Sequence, residues 1–133
     1  MIADLVVEEM EYYCKRLSTA IDGVSDPYQQ IELWIAEALR YVADGRHMLV
    51  KSLNSVDTPD FRRDEIAQGH RNLMATIIAP LKEIGFADLR AASAMLQSTI
   101  DAASVRIDAG NAAEPEIQIA TTYAIAGLRA LAL

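Results

Sequence analysis

The fold is decided by residues 86–133, which read FADLRAASAMLQSTIDAASVRIDAGNAAEPEIQIATTYAIAGLRALAL. Two alanine-rich segments in this stretch are separated at residues 110–115, and apolar or small residues recur in both at helical spacing. Small side chains let two helix backbones approach closely, so the pattern predicts a helix–helix packing surface rather than an active site. The alternative is that the two helices close the core of their own chain. The recurring positions are Leu89, Ser93, Leu96, Ile100, Ala103 and Ile107, then Ala120, Tyr123, Ala124, Gly127, Leu128 and Leu131.

The composition limits the class of protein. A chain of 133 residues with 52% hydrophobic residues is predicted to be one domain, residues 1–133, with its own core. The net charge of −7 and the pI near 4.7 argue against a nucleic-acid surface, because phosphate binding needs clustered Lys and Arg. Residues 1–11 contain four acidic residues and no basic one, unlike a secretory signal. The single Cys14 cannot form an internal disulfide, and no uncharged stretch is long enough to span a bilayer, so we expect a cytoplasmic protein without a membrane partner.

Helical signals also fill the first two thirds of the chain. Asp26-Pro27 supplies an N-cap followed by proline at the first helical position, and Gly85 supplies a helix stop. Pro80 lies inside a helical stretch, where it predicts a kink or an early stop. The chain is therefore predicted to be all-α, with about six helices in an antiparallel bundle. The four helices before the terminal pair are expected at residues 2–21, 27–44, 46–53 and about 60–84.

The sequence offers no constellation for catalysis. Di-metal sites in helical bundles use Glu-x-x-His pairs, and the chain has none. It also has neither the G-x-S-x-G elbow of hydrolases nor a glycine-rich phosphate loop. We therefore predict that the protein is not an enzyme, with no catalytic residue, no metal ligand and no cofactor.

A histidine on an apolar stripe points to a different kind of site. His70 falls between Ile66 and Leu73 on the fourth predicted helix, and burying it would require a hydrogen-bond partner. It is either a core histidine satisfied by a neighbour or a polar group in an apolar ligand cavity. Pockets for small molecules are mostly apolar and aromatic with a few polar groups, and the same inventory also fits an ordinary core. The residues that could line such a cavity with His70 are Tyr13, Trp34, Tyr41, His47, Met48 and Met74.

The order of these features resembles a known family. Middle helices that gather aromatic and polar residues, followed by two long alanine-rich helices, resemble the C-terminal ligand-binding and dimerisation domain of the tetracycline-repressor (TetR) family of transcription regulators. Residues 1–21 resemble the connecting helix of that family, whereas the helix-turn-helix head that precedes it there is missing. The stretches that carry the resemblance are Asp26-Pro27 before residues 31–41, DGRHML at residues 44–49, residues 91–110, and the last segment through Gly127-Leu128-Arg129-Ala130.

The resemblance implies a two-state mechanism in transcription regulation. A small, hydrophobic ligand in an internal cavity would shift the connecting helix, and DNA would be bound only through the missing head. The cavity would be bordered by Tyr13, Trp34, Tyr41, His47, His70 and Met74. The last two helices would pair with those of a second copy as a four-helix bundle, through Leu96, Ile100, Tyr123, Ala124, Gly127 and Leu128.

A second class of function is compatible with the same sequence. A stand-alone helical protein-interaction or scaffold domain would use the alanine-rich pair to meet a different partner and would need no ligand. Its interior should be solidly packed near Trp34 and His70, where a ligand sensor needs an enclosed void.

Overall fold

The regular secondary structure of the described residues is helical. The computed structural model describes the backbone of residues 2–45 and 60–133, and the side chains of residues 4–45 and 63–133. None of the described helices has the length and apolar character needed to cross a bilayer. The short helix predicted at residues 46–53 lies outside the described residues. The described helices are α1 (Ile2–Ile21), α2 (Pro27–Ala43), α3 (Asp60–Ile84), α4 (Leu89–Asp108) and α5 (Ala113–Leu131).

Local capping chemistry sets several helix ends. The Asp26 carboxylate accepts a hydrogen bond from the Tyr28 N–H at 3.1 Å and caps α2, which begins with Pro27. Asp88 caps α4 in the same way. Gly110 follows the end of α4 and has a φ of +105°, a backbone conformation that residues with a Cβ rarely adopt. The predicted start of α2 at Asp26-Pro27 and the predicted end of α4 at Gly110 are therefore confirmed.

The helix α3 ends before Gly85 as predicted, and of the two outcomes predicted for Pro80 the early stop does not occur. Pro80 is buried inside the helix, which continues to Ile84 rather than stopping early. Gly85 then turns the chain, and its carbonyl accepts a hydrogen bond from the N–H of Leu133 at 3.1 Å. This bond joins the end of α5 to the turn between α3 and α4.

The core is organised around α2, which packs against each of the other four helices. Its apolar side chains at Ile31, Ile35 and Leu39 are completely buried. Each supplies apolar area removed from water, which stabilises the fold by about 25 cal/mol per Å². The neighbouring helices contribute the other large members of this core, Leu17, Ile77, Leu81, Leu96, Ile100, Ile117, Ile125 and Leu128.

Candidate functional site

An aromatic and polar cluster joins α1 to α2. The rings of Tyr13 and Tyr41 are stacked, with centroids 3.8 Å apart and planes 6° from parallel. Tyr41 is almost completely buried, and its hydroxyl donates to Oε1 of Glu9 at 2.6 Å. Burial raises the pKa of the Tyr13 phenol well above its ordinary value, so this ring is neutral across the physiological range. Both tyrosines were predicted from the sequence to border a ligand cavity, and in the structure their rings are in contact.

An arginine extends this cluster along the same two helices. The Arg16 guanidinium on α1 pairs with Glu37 on α2 and donates through Nη1 to Asp44 Oδ2 at 3.0 Å. It also lies over the ring of Tyr41, 5.7 Å from the centroid, within the range of a cation–π contact. Sequence analysis did not single out these charged residues, because ion pairs between separate helices leave no spacing signal.

Trp34 lies deeper in the bundle, at the contact between α2 and α3. It is 3% exposed, and its indole N–H donates to the Thr76 hydroxyl oxygen at 2.7 Å. That hydroxyl in turn donates to the carbonyl of Leu73 at 2.6 Å, so both donors are satisfied. Met74 is partly buried and, like Tyr13, packs against the core cluster that contains Trp34. Three predicted cavity residues therefore belong to the same core cluster or pack against it.

Of the other three predicted cavity residues, Tyr41 stacks on Tyr13 and His70 does not join the group. His47 lies outside the described residues, as does Met48. His70 is exposed, contrary to the burial expected from its stripe. The contact of α3 with α1 passes through Gly69, where an added Cβ would lie 3.3 Å from the sulfur of Met10. Neighbouring helical residues point about 100° apart, so His70 is turned away from that contact.

A groove opens beside Arg16 on the surface between α1 and α2. Its volume is about 290 Å³. The groove was not predicted from the sequence, because its lining residues are mainly polar and the helical stripes were identified from apolar residues. The lining residues are Tyr12, Lys15, Arg16, Thr19, Ala20 and Glu37.

The structure divides the six residues predicted for dimerisation into two groups. Leu96, Ile100, Ala124 and Leu128 are each between 4% and 6% exposed and belong to the core of the single chain. Tyr123 is 73% exposed, and Gly127 is also exposed. This division shows that the helical spacing selected mostly residues of the inner face, together with Tyr123 and Gly127 of the outer face.

We call the outer surface of α4 and α5 the hairpin face. Its large apolar residues are strongly exposed, with Met95 and Val105 at 66% and Ile119 at 59%. Alanine, serine and glycine fill the positions between them. The exposed residues that define the hairpin face are Ala91, Ala94, Met95, Ser98, Ala102 and Val105 of α4, with Ile119, Tyr123, Ala126, Gly127 and Ala130 of α5.

Two ion pairs fix the start of α5. Glu116 is 5% exposed and accepts two hydrogen bonds from Arg106 of α4, at 2.8 and 2.9 Å. Glu114 is exposed and pairs with Arg40 of α2 at 3.1 Å. The hydrogen bonds from the arginines hold the pKa of both carboxyl groups below their ordinary value. Both acids lie in the first turn of α5, where the helix dipole also favours negative charge.

The described residues hold no cluster of three or more His, Cys, Asp or Glu side chains that could bind a metal ion. Comparison with known proteins found no matching family model, no matching curated protein and no matching solved structure.

Proposed function

We propose that this chain is the dimerising, small-molecule-sensing domain of a transcription regulator, similar to the C-terminal domain of the TetR family. The observation that carries the proposal is the hairpin face. Several large apolar side chains are exposed on this one pair of helices, and groups of exposed apolar side chains mark association sites. A self-complementary twofold contact between two such helix pairs produces a four-helix bundle.

The charge distribution favours a second copy as the occupant of the hairpin face. The chain carries a net charge of −7, so two copies repel each other at long range, and an uncharged contact surface avoids adding close like-charge contacts to that repulsion. The residues that define the hairpin face are uncharged, and the exposed Asp101 of α4 and Arg129 of α5 adjoin them in sequence. Gly127 adds a second argument, because a Cβ built there meets no atom within 4 Å in its own chain. The single chain has no packing need for glycine at this position, whereas close approach of a second helix would need it.

The solution mass tests the dimerisation part of the proposal. We expect light scattering to give the mass of two chains of 14.6 kDa each, stable on dilution through the micromolar range. The reason is that pairing removes the hairpin face from water. A mass of one chain at every concentration would contradict the proposal.

Ligand sensing is the second part of the proposal, and it rests on the region around Trp34. Trp34 of α2 contacts the Thr76 hydroxyl of α3 there, and Tyr13 of α1 and Met74 of α3 pack against the same core cluster. Tyr13 belongs to α1 and packs against the same core cluster, so a ligand that reached and displaced it would act directly on α1. By linkage, such a ligand shifts α1 only to the extent that it binds one position of the helix more tightly.

The emission of Trp34 provides the test, because it is the one tryptophan in the chain. N-phenylnaphthylamine, a neutral apolar probe that absorbs tryptophan emission, is expected to quench Trp34 saturably at one probe per chain. Met74→Phe should weaken this binding because it adds bulk at the partly buried wall, and His70→Phe, at an exposed position, serves as the matched control. Unchanged Trp34 emission, or equal weakening by the two variants, would contradict the internal site.

A stand-alone helical protein-interaction domain is the second candidate. The observation that favours it is the close packing of Trp34, whose indole is buried and fully hydrogen-bonded. A monomeric mass together with unchanged Trp34 emission would support this candidate over the sensor.

A further inference from the structure

The hairpin face carries a repeat that indicates how a second helix pair would lie on it. Along each helix, most of its residues recur alternately four and three positions apart, which is the repeat of helices packed nearly in line. Helices with this repeat cross at about 20° and stay in contact along their length. Two hairpin faces should therefore meet along whole helices. The repeat positions are Ala91, Met95, Ser98, Ala102 and Val105 of α4, with Ile119, Tyr123, Ala126 and Ala130 of α5.

The Arg106–Glu116 pair fixes the level of α4 relative to α5 within one copy. The two side chains are joined by hydrogen bonds of 2.8 and 2.9 Å, so the antiparallel helices are level at this point. Counting eight residues back from Arg106 reaches Ser98, and counting eight forward from Glu116 reaches residue 124, next to Tyr123. Each helix rises about 1.5 Å per residue, so Ser98 and Tyr123 lie at nearly the same level.

Large side chains on one helix of the hairpin face are level with small ones on the other. By the same count, Ala102 is within one residue of the level of Ile119, and Met95 is level with Gly127. A twofold axis parallel to the helices would lay α4 of one copy on α5 of the other and keep every one of these levels. Large side chains would then meet small ones, as interdigitated packing requires.

The polar side chains of the hairpin face favour the same arrangement. Ser98 and Tyr123 carry the only hydroxyl groups among the residues that define the face, and a hydroxyl that is buried in a contact needs a partner. With α4 laid on α5 of the second copy, Ser98 is level with Tyr123 of that copy, and the contact occurs twice. If α4 lay on α4 and α5 on α5, the two residues would be on diagonally opposite helices of the bundle.

We propose that two hairpin faces join with α4 of each copy on α5 of the other, and that the contact between Ser98 and Tyr123 selects this arrangement. The inference rests on the dimer proposed above and adds the pairing of its helices. It also accounts for a partner identical to the chain itself. A self-complementary contact needs both members of the pair on one surface, and the hairpin face has both.

A covalent cross-link tests the pairing of the helices without adding charge. In chains with Cys14→Ser, which removes the natural thiol, Ala102→Cys chains and Ile119→Cys chains are mixed under mild oxidation. We expect a covalent pair in the mixture and in neither variant alone, because the two positions are level on facing helices. A covalent pair formed as readily by Ile119→Cys alone would contradict the inference.

An exchange of charge between two variant chains tests the selecting contact. Tyr123→Glu chains and Ser98→Lys chains are mixed in equal amounts, and native mass spectrometry separates the mixed pair from either homodimer. In the mixed pair, one contact keeps the natural residues and the other joins the new carboxylate to the new ammonium. We expect the mixed pair to bind roughly tenfold more tightly than Tyr123→Glu binds itself. Ala91→Lys, which puts the same charge seven residues away on α4, should give no such gain.

Tyr123→Lys separates failure of this inference from failure of the dimer. If Tyr123→Lys restores pairing with Tyr123→Glu and Ser98→Lys does not, α5 lies on α5, so the inference is overturned and the dimer stands. If Ala91→Lys restores pairing as well as Ser98→Lys does, general charge attraction replaces the selecting contact. If Tyr123→Glu alone retains the mass of two chains, the hairpin face is not the contact, and the dimer proposal fails with the inference.

Discussion

Replacing Trp34 with alanine is expected to lower the free energy of unfolding by about 3–5 kcal/mol, the range for truncating a large buried aromatic side chain. The side chain is 3% exposed and contacts a core that draws on all five described helices. Its removal leaves a cavity that the surrounding helices can fill only in part. Urea denaturation followed by far-ultraviolet circular dichroism, at one fixed chain concentration, measures the change.

Three further variants separate the contributions at this position. Thr76→Val keeps the shape but leaves the buried indole N–H without its acceptor, with an expected loss of about 1–3 kcal/mol. Trp34→Phe removes the N–H donor of the same hydrogen bond. The double variant should therefore lose less free energy of unfolding than the sum of the losses in the two single variants. Leu5→Ala, at a residue that is 50% exposed, should change stability by no more than about 0.5 kcal/mol. If Trp34→Ala costs as little as Leu5→Ala, Trp34 is not the centre of the core.

The helix boundaries could be predicted from the sequence because their causes are local. Asp26 and Pro27 fix the start of α2 within three residues of chain, and Gly85 and Gly110 end α3 and α4 by their own backbone conformation. The stripe at residues 2–21 likewise gave the correct limits of α1. Each of these signals acts between residues a few positions apart, so no knowledge of the tertiary fold is required.

The partners across the bundle could not be predicted in this way. The hydrogen bond from Trp34 to Thr76 joins residues 42 positions apart, and no periodicity encodes that pairing. His70 shows the same limit. The spacing placed it on the apolar stripe of α3, but the direction of that stripe depends on where α1 crosses, and the crossing occurs at Gly69.

The alanine-rich pair shows why an apolar pattern alone does not distinguish a core from an interface. Helical spacing selected Leu96 and Leu128 together with Tyr123, since all three recur at core-like intervals. In the structure the two leucines are buried in their own chain and the tyrosine is exposed. Both helices have an apolar inner face and an apolar outer face. The same segment therefore contains core residues and exposed apolar residues, and its spacing alone does not separate them.

Tyr123→Glu is expected to convert the proposed dimer into a monomer. Tyr123 is 73% exposed in the single chain, so the fold should tolerate a carboxylate there. At a twofold contact the substitution would bury two unpaired negative charges, and about 3 kcal/mol of lost association free energy raises the dissociation constant roughly 100-fold. Light scattering and circular dichroism of the same sample separate loss of pairing from loss of fold. Gln118→Glu, which adds the same charge at an exposed position of α5 outside the hairpin face, should keep the mass of the dimer.

Gly127→Ala sharpens this test, because its effects on the single chain and on the pair are expected to have opposite signs. In the Tyr123→Glu background the alanine should raise the free energy of unfolding by up to about 1 kcal/mol, since glycine is the poorer helix former and the new Cβ meets no neighbour. In the otherwise unaltered chain the same Cβ would stand between two closely packed helices, so the dimer should dissociate more readily on dilution. If the alanine stabilises the single chain and leaves the association unchanged, the second copy does not approach α5 at this glycine. If Tyr123→Glu also retains the mass of two chains, the hairpin face is not the contact between them.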